Sequence, residues 1–318
     1  MNNTTSLKTR YEWIDALRAF AIIGVIYGHS SPGLNEIYVF NDPVKIPLFF
    51  ILSGFLFKQP DGSFKDYLLG VIRKLVIPWI LLATIAALPV FIENILTQNY
   101  NSILLTIKDI ITGIKHWFMP CFIIGSIIHY IIRRYIKNNI FFFIISVSCF
   151  FIGIIMKEYS IGDIFMLNRA IHVQFYFYLG YILRDNEFIY KNVNVKIIGI
   201  CVILYIIGCL FSIFLYPGLR LDTHKCFYYN IGLCLTLIVI GNFCLFSLSQ
   251  KLSQIPSWVR FVGRNSLVIY MLQVCGFVPV RMVTKLLKLD EILSRPFLAL
   301  NTYNSCCRNL FHIICYNK

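Results

Sequence analysis

Between Lys196 and Arg220 the chain runs without a charged residue, and it does so again between Lys225 and Lys251. Each stretch exceeds the ~20 residues that carry an α-helix across a bilayer. A backbone placed in hydrocarbon must satisfy its own N–H and C=O groups, so runs of this kind fold as helices. Further apolar segments lie near 13–30, 44–57, 75–96, 117–135, 139–156, 170–183 and 265–283, separated by charged or Gly/Pro-bearing breaks. The 44–57 segment is the least secure as a full crossing. With 58% hydrophobic and 14% charged residues and a mean hydropathy of +0.71, the 318-residue chain lies outside the range of ordinary soluble domains. The expected fold class is all-α: a polytopic integral membrane helical bundle of 9–10 transmembrane helices. No internal repeat and no long linker divides it, so 1–318 reads as a single membrane-embedded domain.

The charge pattern bears on orientation and partners. A net charge of +14 and a pI near 9.3 fit cationic loops on the cytoplasmic side, so membrane lipids are expected partners and nucleic acid is not. With the N-terminus inside, Lys and Arg on the inner side outnumber those on the outer by about two to one. This predicts a multi-pass protein of the cell inner (cytoplasmic) membrane with a cytoplasmic N-terminus. Arg281, Lys285, Lys288 and Arg295 break the pattern. The 297–318 tail is only patchily apolar and reads as a poor tenth span, a surface segment, or a truncated or frame-shifted end. Most of the eleven cysteines sit inside apolar runs, with no Cys-x-x-Cys and no Cys/His spacing for zinc. They read as small hydrophobes, with neither a disulfide framework nor a metal site. The polar N-terminus and the absence of a small-residue cleavage site argue against a cleavable signal peptide.

Three ionisable groups interrupt the first apolar run, Trp13-Ile-Asp15-Ala-Leu-Arg18 through Gly28-His29. Eleven residues at about 100° each place Arg18 and His29 on nearly the same helix face, about 16 Å apart along the axis. Asp15, one turn before Arg18, shares that face. Charges inside a membrane helix are costly and mark function. A neutral imidazole suits removal of a proton from a hydroxyl. A guanidinium suits a phosphate or a carbonyl, and Asp15 would orient it. An ion pair near the membrane surface is the plainer reading of Asp15 and Arg18.

Five stretches then fall in order over about 280 residues. Tyr11-Glu-Trp-Ile-Asp15-x-x-Arg18-x10-His29 resembles the opening of the membrane-bound acyltransferase-3 family. Pro47-Leu-Phe-Phe-Ile-Leu-Ser53-Gly54-Phe55 is similar to its second-helix motif, and Arg73-Lys74-Leu-Val-Ile-Pro78 to the basic segment that follows. His116-Trp117-Phe-Met-Pro120 resembles a motif of the sugar O-acetylase branch, and Gly263-Arg-Asn-Ser-Leu-Val-Ile-Tyr270 a late helix start. The aromatic motifs lean toward the branch resembling fucose 4-O-acetylases. The resemblance implies an O-acyltransferase with no bound cofactor. It would move acetyl from acetyl-CoA, the acyl donor, to a hydroxyl of a cell-envelope glycan or lipid-linked sugar. It makes His29 essential and Arg18 and Asp15 its companions. Arg73 and Lys74 become candidates for the phosphates of the coenzyme, or else cytoplasmic anchors. Gly54 would permit close backbone approach and leave Ser53 facing the cavity, as part of the donor site or as a serine nucleophile, or else the Ser-Gly pair is a packing contact. Trp117 and Tyr270 become candidates for the acceptor, Trp117 through stacking on a sugar ring or else as part of an aromatic belt. Many relatives carry histidine near Gln273, which cannot act as a base. Transfer is either direct or through an acyl-histidine. The competing functions are a transporter or flippase of an envelope precursor and an inactive, truncated relative.

Overall fold

The computed structural model describes residues 11–276, apart from breaks at 31–34, 59–61, 115, 187, 253 and 274. The basic cluster from Arg281 to Arg295, the 297–318 tail and His312 lie outside the described residues. Among the described residues the architecture is all-α, and the β structure is one isolated bridge between Asp222 and Phe227. The helices are α1 (Glu12–Ser30), α2 (Asn35–Lys45), α3 (Pro47–Leu56), α4 (Phe64–Val71), α5 (Ile77–Leu96), α6 (Tyr100–Thr112) and α7 (Phe118–Tyr135). They continue with α8 (Asn139–Glu158), α9 (Leu167–His172), α10 (Gln174–Asp185), α11 (Phe188–Lys191), α12 (Val195–Leu215), α13 (Ile231–Lys251) and α14 (Ser257–Arg264). A π turn, Ile72–Val76, joins α4 to α5.

Five helical stretches are long and apolar enough to cross a membrane: Ile37–Leu56, Phe64–Leu96, Asn139–Glu158, Val195–Leu215 and Ile231–Lys251. The chain is a multi-pass membrane protein. The first of these is central, with 67% of its spanning window buried, while Phe64–Leu96, Asn139–Glu158 and Val195–Leu215 bury 11, 22 and 17%. Those three turn most of their Ile, Leu and Phe outward, as a lipid-facing wall does.

Local chemistry sets the boundaries. Asn138, Asn194 and Asn230 cap α8, α12 and α13, each side chain accepting backbone N–H bonds of the first turn. The expected 139–156 and 196–216 spans therefore begin close to where the helices do, while the 228–248 span shifts to Ile231 behind its cap. Ser63 and Asp66 form a reciprocal capping box. It starts the third span at Phe64, well before residue 75, because Lys65, Asp66, Arg73 and Lys74 dilute the apolar signal there. The 44–57 segment is the second half of a crossing that starts in α2 and steps at Ile46, just before Pro47. The 170–183 segment is two helices meeting at Val173.

In lipid, apolar burial does not drive helices together, and close backbone approach takes its place. Gly54 of α3 lies against the Phe177 carbonyl of α10, and Gly180 of α10 against the Ile51 carbonyl of α3. Gly153 of α8 rests on the backbone of His172 in α9, and Gly263 of α14 on the Asp15 carbonyl of α1. A methyl at any of these four positions collides with backbone. The bundle thus has two ends. One carries Glu12, ion-paired to Arg260, and Arg133 and Arg184 around Tyr181. The other carries His29, Asp42 paired with Arg220, and the contact between Trp117 and His224. They are called the Glu12 end and the His29 end below.

Candidate active site

The site is organised around α1. Asp15 is only 1% exposed. Its carboxylate accepts from Nε of Arg264 at 3.1 Å and lies 3.9 Å from Nη1 of Arg18. The close seat of Gly263 on the Asp15 backbone fixes the register of α14, so Arg264 arrives beside Arg18 although 246 positions separate them in the chain. Asp15 itself does not face open space. It sits behind the two arginines and holds both.

Arg18 and Arg264 line a cavity of about 210 Å³. Ser53, Phe49 and Leu52 of α3, Leu75 of the π turn, Phe118, Met119 and Phe122 of α7, and Ser266, Leu267 and Tyr270 complete most of its wall. Ser53 donates its hydroxyl to the Phe49 carbonyl at 2.9 Å, the ordinary use of a helix serine. The phenol oxygen of Tyr270 hydrogen-bonds to the Phe118 backbone, and its ring packs on that of Phe118. Val25 lines the same cavity. The space therefore follows α1 for seven residues from Arg18, about 10 Å, and stops about 6 Å short of His29 along the helix axis.

His29 stands exposed at the end of α1, outside the cavity wall. Its surroundings are cationic, with Lys45 and Arg220 nearby. Those two are held by Asp42, at 2.6 and 3.1 Å, and Arg220 also covers the Tyr38 ring. Asn41 donates to the Gly24 carbonyl at 2.8 Å, tying α2 to α1 just before His29.

Trp117 does not line the cavity, although its neighbours Phe118 and Met119 do. The indole meets the His224 ring at 4.6 Å between centroids. Gly113, with φ of 74°, closes α6 and turns the chain toward Trp117. His224 belongs to the 216–230 loop, whose carbonyl at that position accepts from Arg169 Nε at 2.7 Å. Arg169 in turn pairs with Asp163 at 3.0 Å, and Lys157 does so at 3.1 Å. The Asn168 side chain, Lys157 and Arg169 all donate to Asp163 and hold its carboxyl down at about 2. Burial, with Arg169 close by, pulls the His224 imidazole down to about 4.

Arg73 and Lys74 lie on the π turn, exposed, and neither lines the cavity, although Leu75 of the same turn does. Such turns add one residue to a helix and re-aim its side chains. The structure thus brings Arg18, Asp15, Ser53 and Tyr270 together and leaves His29, Trp117, Arg73 and Lys74 around them. It also adds Arg264, Ser266, Asp42 and Arg220. Arg264 stood inside a recognised motif, but nothing in one sequence says that its helix lands on Asp15.

The remaining histidines differ. His172 is fully buried and bonded to the Tyr228 hydroxyl at 2.5 Å and to the Phe150 carbonyl at 3.1 Å. His129 is caged by Phe57, Phe142 and Phe177, its ring nitrogens without a hydrogen-bond partner among the described residues. Every described cysteine is a free thiol.

The site is thus a cavity between helices of a multi-pass bundle, with two guanidiniums in its wall and His29 beyond its far end. The family follows from comparison: the model of an acyltransferase domain, acyltransferase 3, matches residues 11–302. The chain belongs to the acyltransferase-3 family and is a membrane acyltransferase. No curated protein and no solved structure matches it.

Proposed function

We propose that this acyltransferase moves acetyl from acetyl-CoA to a hydroxyl of a cell-envelope glycan or lipid-linked sugar. The observation that carries the reading is the cavity that starts at two guanidiniums and follows α1 toward His29. The donor enters at the Glu12 end, on the cytoplasmic side of the inner membrane, with its thioester pointing along α1. Arg73 and Lys74 are exposed near that entry and suit the outer phosphates of the coenzyme. The acceptor comes to the His29 end, where Trp117 offers an aromatic face to a sugar ring. Tyr270 and Ser53 help to shape the arm of the donor between them.

His29 takes the proton of the acceptor hydroxyl. The oxygen bonds to the acyl carbonyl carbon, the carbon–sulfur bond breaks, and the coenzyme thiolate takes up the proton from the imidazole. No net proton is gained or lost, and His29 returns neutral. The gap between cavity and imidazole is about one helical turn, which a bound thioester and an acceptor hydroxyl would fill.

Mass spectrometry of envelope glycans from cells with and without the chain tests the reading. O-acetyl groups present with the wild type and lost with His29→Ala support it. Export of a precursor that fails while O-acetylation persists makes the protein a transporter and rejects it.

A further inference from the structure

Arg264 takes no part in the proton transfer, yet it is the second cation of the cavity. We propose that Arg18 and Arg264 form a two-arginine clamp for the phosphate-bearing part of the acyl donor. This rests on the acetyl-CoA reading and deepens it by assigning the phosphates to a place.

The geometry carries the assignment. Asp15 engages Arg264 through Nε, at 3.1 Å. Among the described residues the two terminal amino groups of Arg264 make no other hydrogen bond. A guanidinium presents its five N–H donors as a rigid fork, and the terminal pair matches two oxygens of one phosphate. The carboxylate that orients this fork also lies beside Arg18, so both forks are tied to one buried anchor on α1. Gly263 presses the other helix onto that anchor. Two flexible side chains are thereby ordered before any ligand arrives, which lowers the entropy cost of binding.

The wall chemistry agrees. Among its described residues the cavity presents two guanidiniums, the hydroxyls of Ser53 and Ser266 and the phenol of Tyr270, and no carboxylate. While Ser53 gives its hydroxyl to the Phe49 carbonyl, the two guanidiniums make this a cationic surface for an oxyanion. Its size, about 210 Å³, is below the ~300–1,000 Å³ of pockets that enclose a whole drug-sized ligand. It suits one phosphate with part of the pantetheine arm, leaving the nucleotide outside the Glu12 end. An Arg18 site for the acyl carbonyl would need the thioester to halt two turns short of Val25, far from His29.

The test is ligand binding by the full chain in phosphatidylcholine nanodiscs, with coenzyme A and phosphate-free pantetheine as probes. Arg264→Gln is expected to weaken coenzyme A about tenfold to a hundredfold, the worth of a charged hydrogen-bond pair. Pantetheine should bind R264Q as it binds the wild type. Arg264→Lys, which keeps the charge beside Asp15, should fall between, and it guards against loss of fold. Inorganic pyrophosphate should displace coenzyme A from the wild type and not from R264Q. If coenzyme A binds R264Q and R264K as tightly as the wild type, the clamp is wrong and the acetyl-CoA reading survives. If R264Q weakens both probes equally, Arg264 is only a structural strut. If a long-chain prenyl diphosphate needs Arg264 and coenzyme A does not, the arginines serve an acceptor lipid and the clamp for the donor is overturned. A wild type that binds no coenzyme A at all rejects both readings.

Discussion

The two ends of α1 use the same kinds of charge in opposite ways. At the Glu12 end, Asp15 gathers Arg18 and Arg264 from behind, and both guanidiniums face open space. At the His29 end the anion also sits between two cations, Asp42 between Lys45 and Arg220, but the trio fixes α2 and the 216–230 loop in place. Asp163, Arg169 and Lys157 repeat that pattern. The contrast teaches that an ion cluster in this bundle opens on a cavity only where the helices leave room beside it. One end leaves a cavity beside its cations, and the other spends its cations on the frame around His29.

The largest expected effect is at His29. His29→Ala should slow acyl transfer about 10²–10⁴-fold, the usual worth of a positioned general base. Coenzyme A affinity should stay unchanged, because His29 lies off the cavity wall. A parallel loss of coenzyme A binding, read by titration, would merge the two ends into one site and dissolve the contrast.

Next in size is the frame. Asp42→Asn leaves Lys45 half-paired in a buried setting and should cost about 3–5 kcal/mol of stability. Thermal unfolding in detergent should show it, while coenzyme A affinity stays within about twofold of the wild type. An unchanged melting temperature together with weakened coenzyme A would mean that the His29 end also binds the donor.

The glycine contacts sharpen the comparison further. Gly263→Ala and Gly153→Ala each push a methyl into the backbone of a facing helix, at Asp15 and at His172. Each should destabilise by about 1–3 kcal/mol. Only Gly263→Ala should weaken coenzyme A, because it moves Arg264. Equal effects of the two on binding would show that Arg264 is not held by that contact.

The smallest effect is a titration. With its value held near 4, His224 stays neutral on Trp117 well below the ordinary histidine range. Between about 6.5 and about 4 the unfolded chain binds the proton first, so this residue's contribution to stability is complete above about 6.5 and is lost as pH falls toward 4. Indole quenching by the imidazolium, taken as the fluorescence difference from Trp117→Phe, should appear only near pH 4. Quenching with a midpoint near 6.5 would show His224 to be solvated and the loop loosely held. Asp163, depressed to about 2, adds stability that is present above about pH 4 and lost between there and about 2.

How much of this was legible without coordinates varied by residue. The charge-free runs at 197–219 and 226–250 made α12 and α13 plain. The helical spacing of Arg18, Val25 and His29 already put them on one face. The start of α4 was hidden because Lys65, Asp66, Arg73 and Lys74 mask an uninterrupted helix that continues into the span. The kink at Val173 carries no glycine or proline to announce it. Ser53 and Tyr270 could be named as candidates, but their meeting on one wall depends on where α3 and the 266–273 helix cross α1.

By itself, the sequence determined that the chain is a helical membrane protein, that it belongs to one family of acyltransferases, and that Arg18 and His29 share a stripe. Those follow from local facts: the hydration cost of a polar backbone, the 100° step of the helix, and motifs in order. Only the tertiary structure decided that Asp15 serves two arginines, that the second is Arg264, and that the cavity stops one turn short of His29. These depend on the contact of Gly263 with α1 and on the volume left between crossing helices. Both are set by packing between segments far apart in the chain.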